Sequence, residues 1–269
     1  MRLHWGVAGI ATATLTADWA GLLVGLVLLR LTQPQTGARP TGRMHWRELA
    51  DGPSLRHLFS LNRDILLRTV SLVAAYAWFT RAGARAGDAT LAANAVLLNL
   101  HSLASYGLDG FANATEALVG EAVGARRLRD YRAIVRASTV LAFAVAALIS
   151  LLYIVFGAQL VALFTNQEPV RLLAIRFLPW AIALPVISVW GFQLDGIFIG
   201  ATRARELRDS MVISLAGYLA LAIALERLMG NHGLWLAFCC FMVLRGLTLG
   251  LRLHHIEEAF PTPAPVSSI

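Results

Sequence analysis

Long apolar segments alternate with shorter polar segments along this chain of 269 residues. A helix that crosses the bilayer core needs about 20 mainly apolar residues. Most of the apolar segments reach that length once long flanking side chains extend towards the interface. The pattern therefore predicts membrane-spanning helices at residues 5–29, 65–80, 89–114, 133–164, 172–200, 211–225 and 232–251.

The composition agrees with this pattern and excludes a soluble domain. Hydrophobic residues make up 57% of the chain, charged residues make up 14%, and the mean hydropathy is +0.63. The sequence has no P-loop, dinucleotide-binding, haem or zinc-ligand spacing, so we expect neither an enzyme nor a bound cofactor or metal. The predicted fold class is all-α, a polytopic membrane bundle of about seven transmembrane helices.

Arginine is distributed unevenly between the loops, and this distribution predicts the topology. Arginines crowd the loops at 30–63, 126–136 and 203–208, whereas the other loops hold few. The positive-inside rule places the rich loops and the C-terminus in the cytoplasm, with the helices in a bacterial inner (plasma) membrane. The net charge of +7 belongs to loops beside the lipid bilayer, and no nucleic-acid partner is expected.

An odd number of spans gives an external N-terminus, although the first apolar segment follows Met1 almost directly. We therefore expect a truncated chain that lacks an N-terminal lobe. The predicted parts are a transmembrane helix from that lobe (1–31), a cytoplasmic linker (32–62), a six-helix transporter lobe (63–253) and a disordered cytoplasmic tail (254–269). Residues 46–59 of the linker have the pattern of an amphipathic helix, although Gly52-Pro53 interrupts it.

Ionisable residues at membrane depth are candidates for function, because burying them in hydrocarbon is costly. Asp109, Asn113 and Glu116 lie at positions i, i+4 and i+7 of one predicted helix, so they share one face. That face lines a water-filled cavity or hydrogen-bonds to neighbouring helices, and the sequence leaves both open. The dipeptide Asp-Gly at 109–110 recurs at 195–196, in a helix predicted to run in the same direction.

Asp195 is the second deep carboxylate. Pro179 and Pro185 predict a break in its helix, and broken helices line transporter sites. In one interpretation Asp195 exchanges a proton for a cation in a cavity. In the other, Asp195 pairs with Arg203 or Arg245 and only holds helices together.

Arg68 offers a further ion pair. It lies one turn into its predicted helix, at the depth where Glu121 leaves the membrane. We therefore predict an Arg68–Glu121 pair, which either is structural or gates the cytoplasmic mouth of a cavity.

Four segments carry a resemblance to a known family when they are taken together and in order. They are 61–68 (LNRDILLR), 108–126 (LDGFANATEALVGEAVGAR), 194–203 (LDGIFIGATR) and 230–235 (GNHGLW). These segments resemble the DinF-like branch of the multidrug and toxic compound extrusion (MATE) family of transporters. The resemblance implies twelve helices in two lobes, of which this chain supplies the sixth helix and the C-terminal six-helix lobe.

The resemblance also implies a function: a cation-coupled antiporter that exports small amphipathic or cationic compounds by alternating access. The coupling ion would be H⁺ or Na⁺, with H⁺ favoured. Sodium-coupled members carry a carboxylate near the position of Ser188, so the resemblance gives Asp195 no cation-binding role. The candidate cavity residues for substrate and proton are Asp109, Asn113, Glu116 and Asp195, and the candidate gating pair is Arg68 and Glu121.

Two alternatives stay open. A lipid-linked sugar flippase of the same superfamily would need an arginine-rich cavity for a pyrophosphate, whereas the arginines here crowd the loops. A non-transporting membrane subunit, or a gene remnant, would leave the polar residues purely structural.

Overall fold

The computed structural model of this chain describes residues 6–32, 52–258 and 260. Every element within these ranges is a helix, and α1 lies in a compact unit (Met1–Gly52) distinct from a second unit (Pro53–Ile269). In chain order the helices are α1 (Gly6–Thr32), α2 (Gly52–Arg85), α3 (Asp88–Gly124), α4 (Leu128–Phe164), α5 (Glu168–Gly200), α6 (Ala204–Met229), α7 (Asn231–Gly250) and α8 (His254–Glu257).

Among the described residues, four helical segments are long and apolar enough to cross a membrane, judged by length and composition. They are α4, α5, α6 and the combined α7–α8 segment Asn231–Glu257. Helix α1 contains a shorter apolar stretch, Thr12–Leu28. Helices α2 and α3 are 34 and 37 residues long, but polar side chains such as Arg68 and Asn94 lower their mean hydropathy.

Helix α2 begins at Gly52, inside the predicted linker, so it starts before the predicted transporter lobe at residue 63. Proline is favoured in the first turn of a helix because its missing N–H would have no partner there in any case. Pro53 accordingly lies in the first turn of α2. Residues 33–51 of the predicted linker lie outside the described residues.

Helix α5 continues through Pro179 and Pro185, so the predicted break is wrong. A proline inside a membrane helix is tolerated where neighbouring groups satisfy the freed backbone. The neighbouring residues Ala181 and Leu184 are fully buried, so tertiary packing holds α5 together around Pro185.

The predicted disordered tail at 254–269 is wrong in its first part. Helix α8 is ordered against the bundle, with Ile256 1% exposed and Phe260 7% exposed. The Phe260 ring packs on Tyr131 of α4 at a centroid distance of 5.4 Å. Burial of these apolar side chains stabilises the segment, while residues 259 and 261–269 lie outside the described residues.

Helices α3 and α5 touch backbone to backbone. Gly196 lies against Ala112, and one turn later Gly200 lies against Glu116. A Cβ added at either glycine would collide with the carbonyl oxygen of the facing residue. Because the facing positions advance together along both helices, α3 and α5 run parallel. Small residues four positions apart commonly allow this close approach between membrane helices.

An amide network joins α3 to α7 where both helices begin. Asn94 and Asn231 exchange side-chain hydrogen bonds of 2.8 and 2.9 Å. The Trp235 indole N–H also donates to the Asn94 side-chain oxygen at 2.9 Å. Phe79 of α2 packs edge-on against Trp235, with ring centroids 4.7 Å apart. This network connects three helices at the end of the bundle that is opposite the arginine-rich loops.

Candidate functional site

Polar residues line one exposed face of α3, named here the α3 polar stripe (Asn99, Tyr106, Asp109, Asn113 and Glu116). Asn99 and Asn113 are exposed, and Asp109 and Glu116 are half-buried. Tyr106 is 76% exposed. Helix α3 is continuous here, so the helical period places all five side chains on one face.

The exposed face of α4 has a different composition. Val140, Leu148, Leu151, Ile154 and Val155 are each more than half exposed there. Such a face suits hydrocarbon, whereas unsatisfied polar groups in hydrocarbon cost several kcal/mol each. The α3 polar stripe therefore suits a wet cavity or a surface covered by protein.

Close to the stripe lies a buried charged group, named here the ion cluster (Arg68, Asp195 and Arg245). Arg68 of α2 and Arg245 of α7 both donate from Nη2 to the same oxygen, Oδ2, of Asp195 on α5. Asp195 is 5% exposed and Arg245 is 2% exposed, so the charges are largely removed from water. The sequence left two ion-pair partners open for Asp195, Arg203 and Arg245. The structure contains the ion pair with Arg245. The cluster ties three helices together near the arginine-rich end of the bundle.

Arg68 does not pair with Glu121, so this predicted pair is wrong for the structure. Glu121 accepts a hydrogen bond of 2.9 Å from Arg127 on the surface. Because α2 begins at Gly52, Arg68 lies several turns into its helix and is level with Asp195. Its depth was underestimated because the start of the helix was placed too late.

Asp109 connects the α3 polar stripe to the ion cluster. Asp109 lies close enough to both Arg68 and Arg245 to interact with them electrostatically. The hydroxyl of Tyr76 also interacts electrostatically with Arg245. Two arginines face two aspartates here, so the charges balance only while Asp109 is ionised. A proton or a cation on Asp109 therefore changes the electrostatic field on the buried cluster.

A second polar group, which the sequence did not single out, fixes the helices around the cluster. Gln193 is 1% exposed and donates to Thr115 of α3 at 2.9 Å and to Ser138 of α4 at 2.6 Å. In the sequence, only its position two residues before Asp195 pointed to a role for Gln193. This amide holds α5 against two neighbours just beside the ion cluster.

The described ranges contain no group of three or more His, Cys, Asp or Glu side chains that could hold a metal ion. The buried Ser188 hydroxyl donates to the Leu184 carbonyl at 2.6 Å, so its hydrogen bond is satisfied within α5.

A bundle of long helices that carries a polar stripe and an ion cluster is typical of a polytopic membrane protein. The MatE family model matches residues 65–227. DNA damage-inducible protein F of Escherichia coli K12 is 43% identical over 256 residues, covering 93% of this chain and 53% of that protein. The probable multidrug resistance protein NorM of Brucella suis is 26% identical over 269 residues, covering 94% and 54%.

A solved structure shares the fold. A mutant of the Vibrio cholerae MATE transporter VcmN superimposes with a TM-score of 0.78 at 18% identity, covering 95% of this chain and 58% of that chain. This chain belongs to the MatE family, whose members are transporters and not enzymes. The predicted family and the predicted all-α membrane bundle are therefore confirmed. The chain spans about half the length of the curated relatives that it matches.

Proposed function

We propose that this chain forms the C-terminal lobe of a cation-coupled multidrug efflux antiporter, with H⁺ as the coupling ion. The observation that carries the proposal is Asp109, a half-buried carboxylate on the α3 polar stripe that interacts electrostatically with Arg68 and Arg245. The relative from Brucella suis is a probable multidrug resistance protein, which supports small amphipathic or cationic compounds as the substrate class.

In this proposal the α3 polar stripe forms one wall of a central cavity. An N-terminal lobe, corresponding to the half of the relatives that this chain does not match, forms the other wall. The apolar face of α4 contacts lipid. The arginine-rich end of the bundle, with the C-terminus, lies in the cytoplasm. A proton on Asp109 removes its attraction for Arg68 and Arg245 and so changes the relative stability of the inward-open and outward-open states. A ligand shifts such an equilibrium only by its differential affinity for the two states.

The paired arginines favour this function over a sugar flippase. A pyrophosphate needs unpaired cationic groups along the cavity. Arg68 and Arg245 instead point at Asp195, and the side chain of Arg245 is only 2% exposed. Both guanidinium groups are therefore paired with a carboxylate of the protein and are not free to bind a pyrophosphate.

A chimera tests the proposal directly. In the chimera, this chain replaces the half of the E. coli relative that it matches. The N-terminal part of the relative is kept and joined to this chain. We expect the chimera to restore ethidium export in an efflux-deficient E. coli strain, because it supplies both walls of the cavity, and we expect the chain alone to export none. A chimera that inserts at the level of the intact relative but exports nothing would favour a non-transporting subunit.

Within that chimera, Asp109→Asn should slow export about tenfold, which corresponds to the loss of about 1.4 kcal/mol of proton-dependent bias. Asparagine preserves the size of the side chain but cannot take up the proton. The matched control is Asp130→Asn, which removes an exposed carboxylate paired with Arg127 at 3.0 Å. Equal export rates for the two variants, at equal expression, would remove Asp109 from the coupling mechanism.

A further inference from the structure

A cleft of about 330 Å³ lies between α4 and α7–α8, where α4 begins. Val135 and Val140 of α4, Trp190 of α5 and Leu253 form its apolar walls. Neither the α3 polar stripe nor the ion cluster lines it. Its position on the outside of the bundle makes it accessible from the bilayer.

Two residues that line the cleft carry hydroxyl groups without a partner in the described part of the chain. Tyr131 is 1% exposed, and both its hydroxyl and that of Thr139 are buried without a hydrogen bond to any described residue. A buried hydroxyl without a partner is costly and uncommon. A ligand that brings oxygen atoms into the cleft would satisfy them.

The polar end of the cleft carries an excess positive charge. Arg132 is paired with Glu257 at 2.7 Å, and both line the cleft. Arg136 also lines the cleft, is exposed, and forms no ion pair within the described part of the chain. Two guanidinium groups against one carboxylate leave one positive charge without a partner.

Arg136 lies at the position along α4 where the exposed apolar face of the helix begins, which we take as the membrane boundary. The exposed apolar face of α4 begins at Val140, one turn after Arg136, and continues to Phe164. Headgroups lie at such a boundary and acyl chains lie beyond it. The cleft therefore offers a positive charge at headgroup level and apolar walls at acyl-chain level.

We propose that this cleft is a binding site for an anionic phospholipid. The lipid phosphate pairs with Arg136 and accepts a hydrogen bond from Tyr131 or Thr139, and one acyl chain covers Val140 and Trp190. Basic pockets between membrane helices bind anionic headgroups in this way. A zwitterionic lipid brings its own cation beside Arg136, and a free phosphate ester leaves the apolar walls uncovered. The bound lipid links α4 to the α7–α8 segment.

Native mass spectrometry of the purified full chain in detergent tests the proposal with three probes. They are dioleoyl phosphatidylglycerol, dioleoyl phosphatidylcholine and glycerol 3-phosphate. We expect phosphatidylglycerol to bind about fivefold more tightly than phosphatidylcholine, which is the effect of one arginine near an anionic headgroup. Glycerol 3-phosphate should not be retained. Equal affinity for the two lipids, or retention of glycerol 3-phosphate to the same extent, overturns the lipid site.

Three variants locate the binding. Arg136→Gln should weaken phosphatidylglycerol binding about fivefold. Tyr131→Phe keeps the ring that packs on Phe260 and removes only the hydroxyl, so a weaker lipid adduct there reports a lost hydrogen bond. Arg129→Gln is the matched control, because this exposed arginine of the same helix does not line the cleft. If Arg136→Gln binds phosphatidylglycerol as tightly as Arg129→Gln does, the lipid sits elsewhere.

Discussion

Replacing Asp195 with alanine is expected to destabilise the chain by about 3–5 kcal/mol, the usual cost of removing one partner from a buried ion pair. The substitution leaves the guanidinium groups of Arg68 and Arg245 facing each other without the carboxylate that both contact. Arg245, at 2% exposed, cannot reach water without moving α7. Thermal unfolding of the purified chain in detergent should show a Tm lower by about 10 °C.

Two controls separate the buried cluster from charge loss in general. Asp130→Ala removes an exposed carboxylate and should cost less than about 1 kcal/mol. Asp195→Ala combined with Arg245→Met should be less destabilised than the sum of the two single variants, because the methionine removes one of the two unpaired charges. If Asp195→Ala lowers Tm no more than Asp130→Ala does, the cluster does not hold the helices together.

Gly196→Ala is the second substitution with a large expected effect, about 1–3 kcal/mol. The new Cβ would collide with the Ala112 carbonyl oxygen, and a backbone atom cannot rotate away as a side chain can. Helices α3 and α5 must then separate, which disturbs the contact between Gly200 and Glu116 one turn further along. The same thermal unfolding measurement should show a Tm lower by several degrees.

Gly110→Ala is the matched control, because Gly110 also follows an aspartate on a long helix. Nothing lies within 4 Å of a Cβ added at Gly110. Alanine there should be neutral or should stabilise the helix by up to about 1 kcal/mol, owing to its higher helix propensity. Equal changes of Tm for the two glycine variants would mean that the close contact at Gly196 does not limit stability.

The sequence predicted the class of fold because span length and loop charge are local properties. Apolar segments of sufficient length and alternating arginine content are readable without knowing which helix touches which. The two choices for Asp195 were also sound, since Arg245 was one of them. Arg203 instead pairs with Glu206 at 3.3 Å, three residues along its own chain.

Pairing between distant helices could not be predicted in the same way. Depth along a helix is one coordinate, and the direction in which a side chain points around the axis is another. The Arg68–Glu121 ion pair was predicted from depth along the helices alone. The predicted start of α2 was too late in the sequence, so the predicted depth of Arg68 was also wrong. The two Asp-Gly dipeptides look equivalent in sequence. A Cβ at Gly196 would nevertheless collide with the backbone of Ala112, whereas a Cβ at Gly110 would meet nothing within 4 Å.

The contact of α3 with α5 has a mechanical consequence. Where side chains separate two helices, a change of rotamer can absorb a small displacement. At Gly196 and Gly200 no side chain lies between the backbones, so a sub-ångström shift of α3 passes directly to α5. A displacement of α3 at this contact therefore also displaces α5, which carries Asp195. The close contact makes α3 and α5 move as one rigid pair.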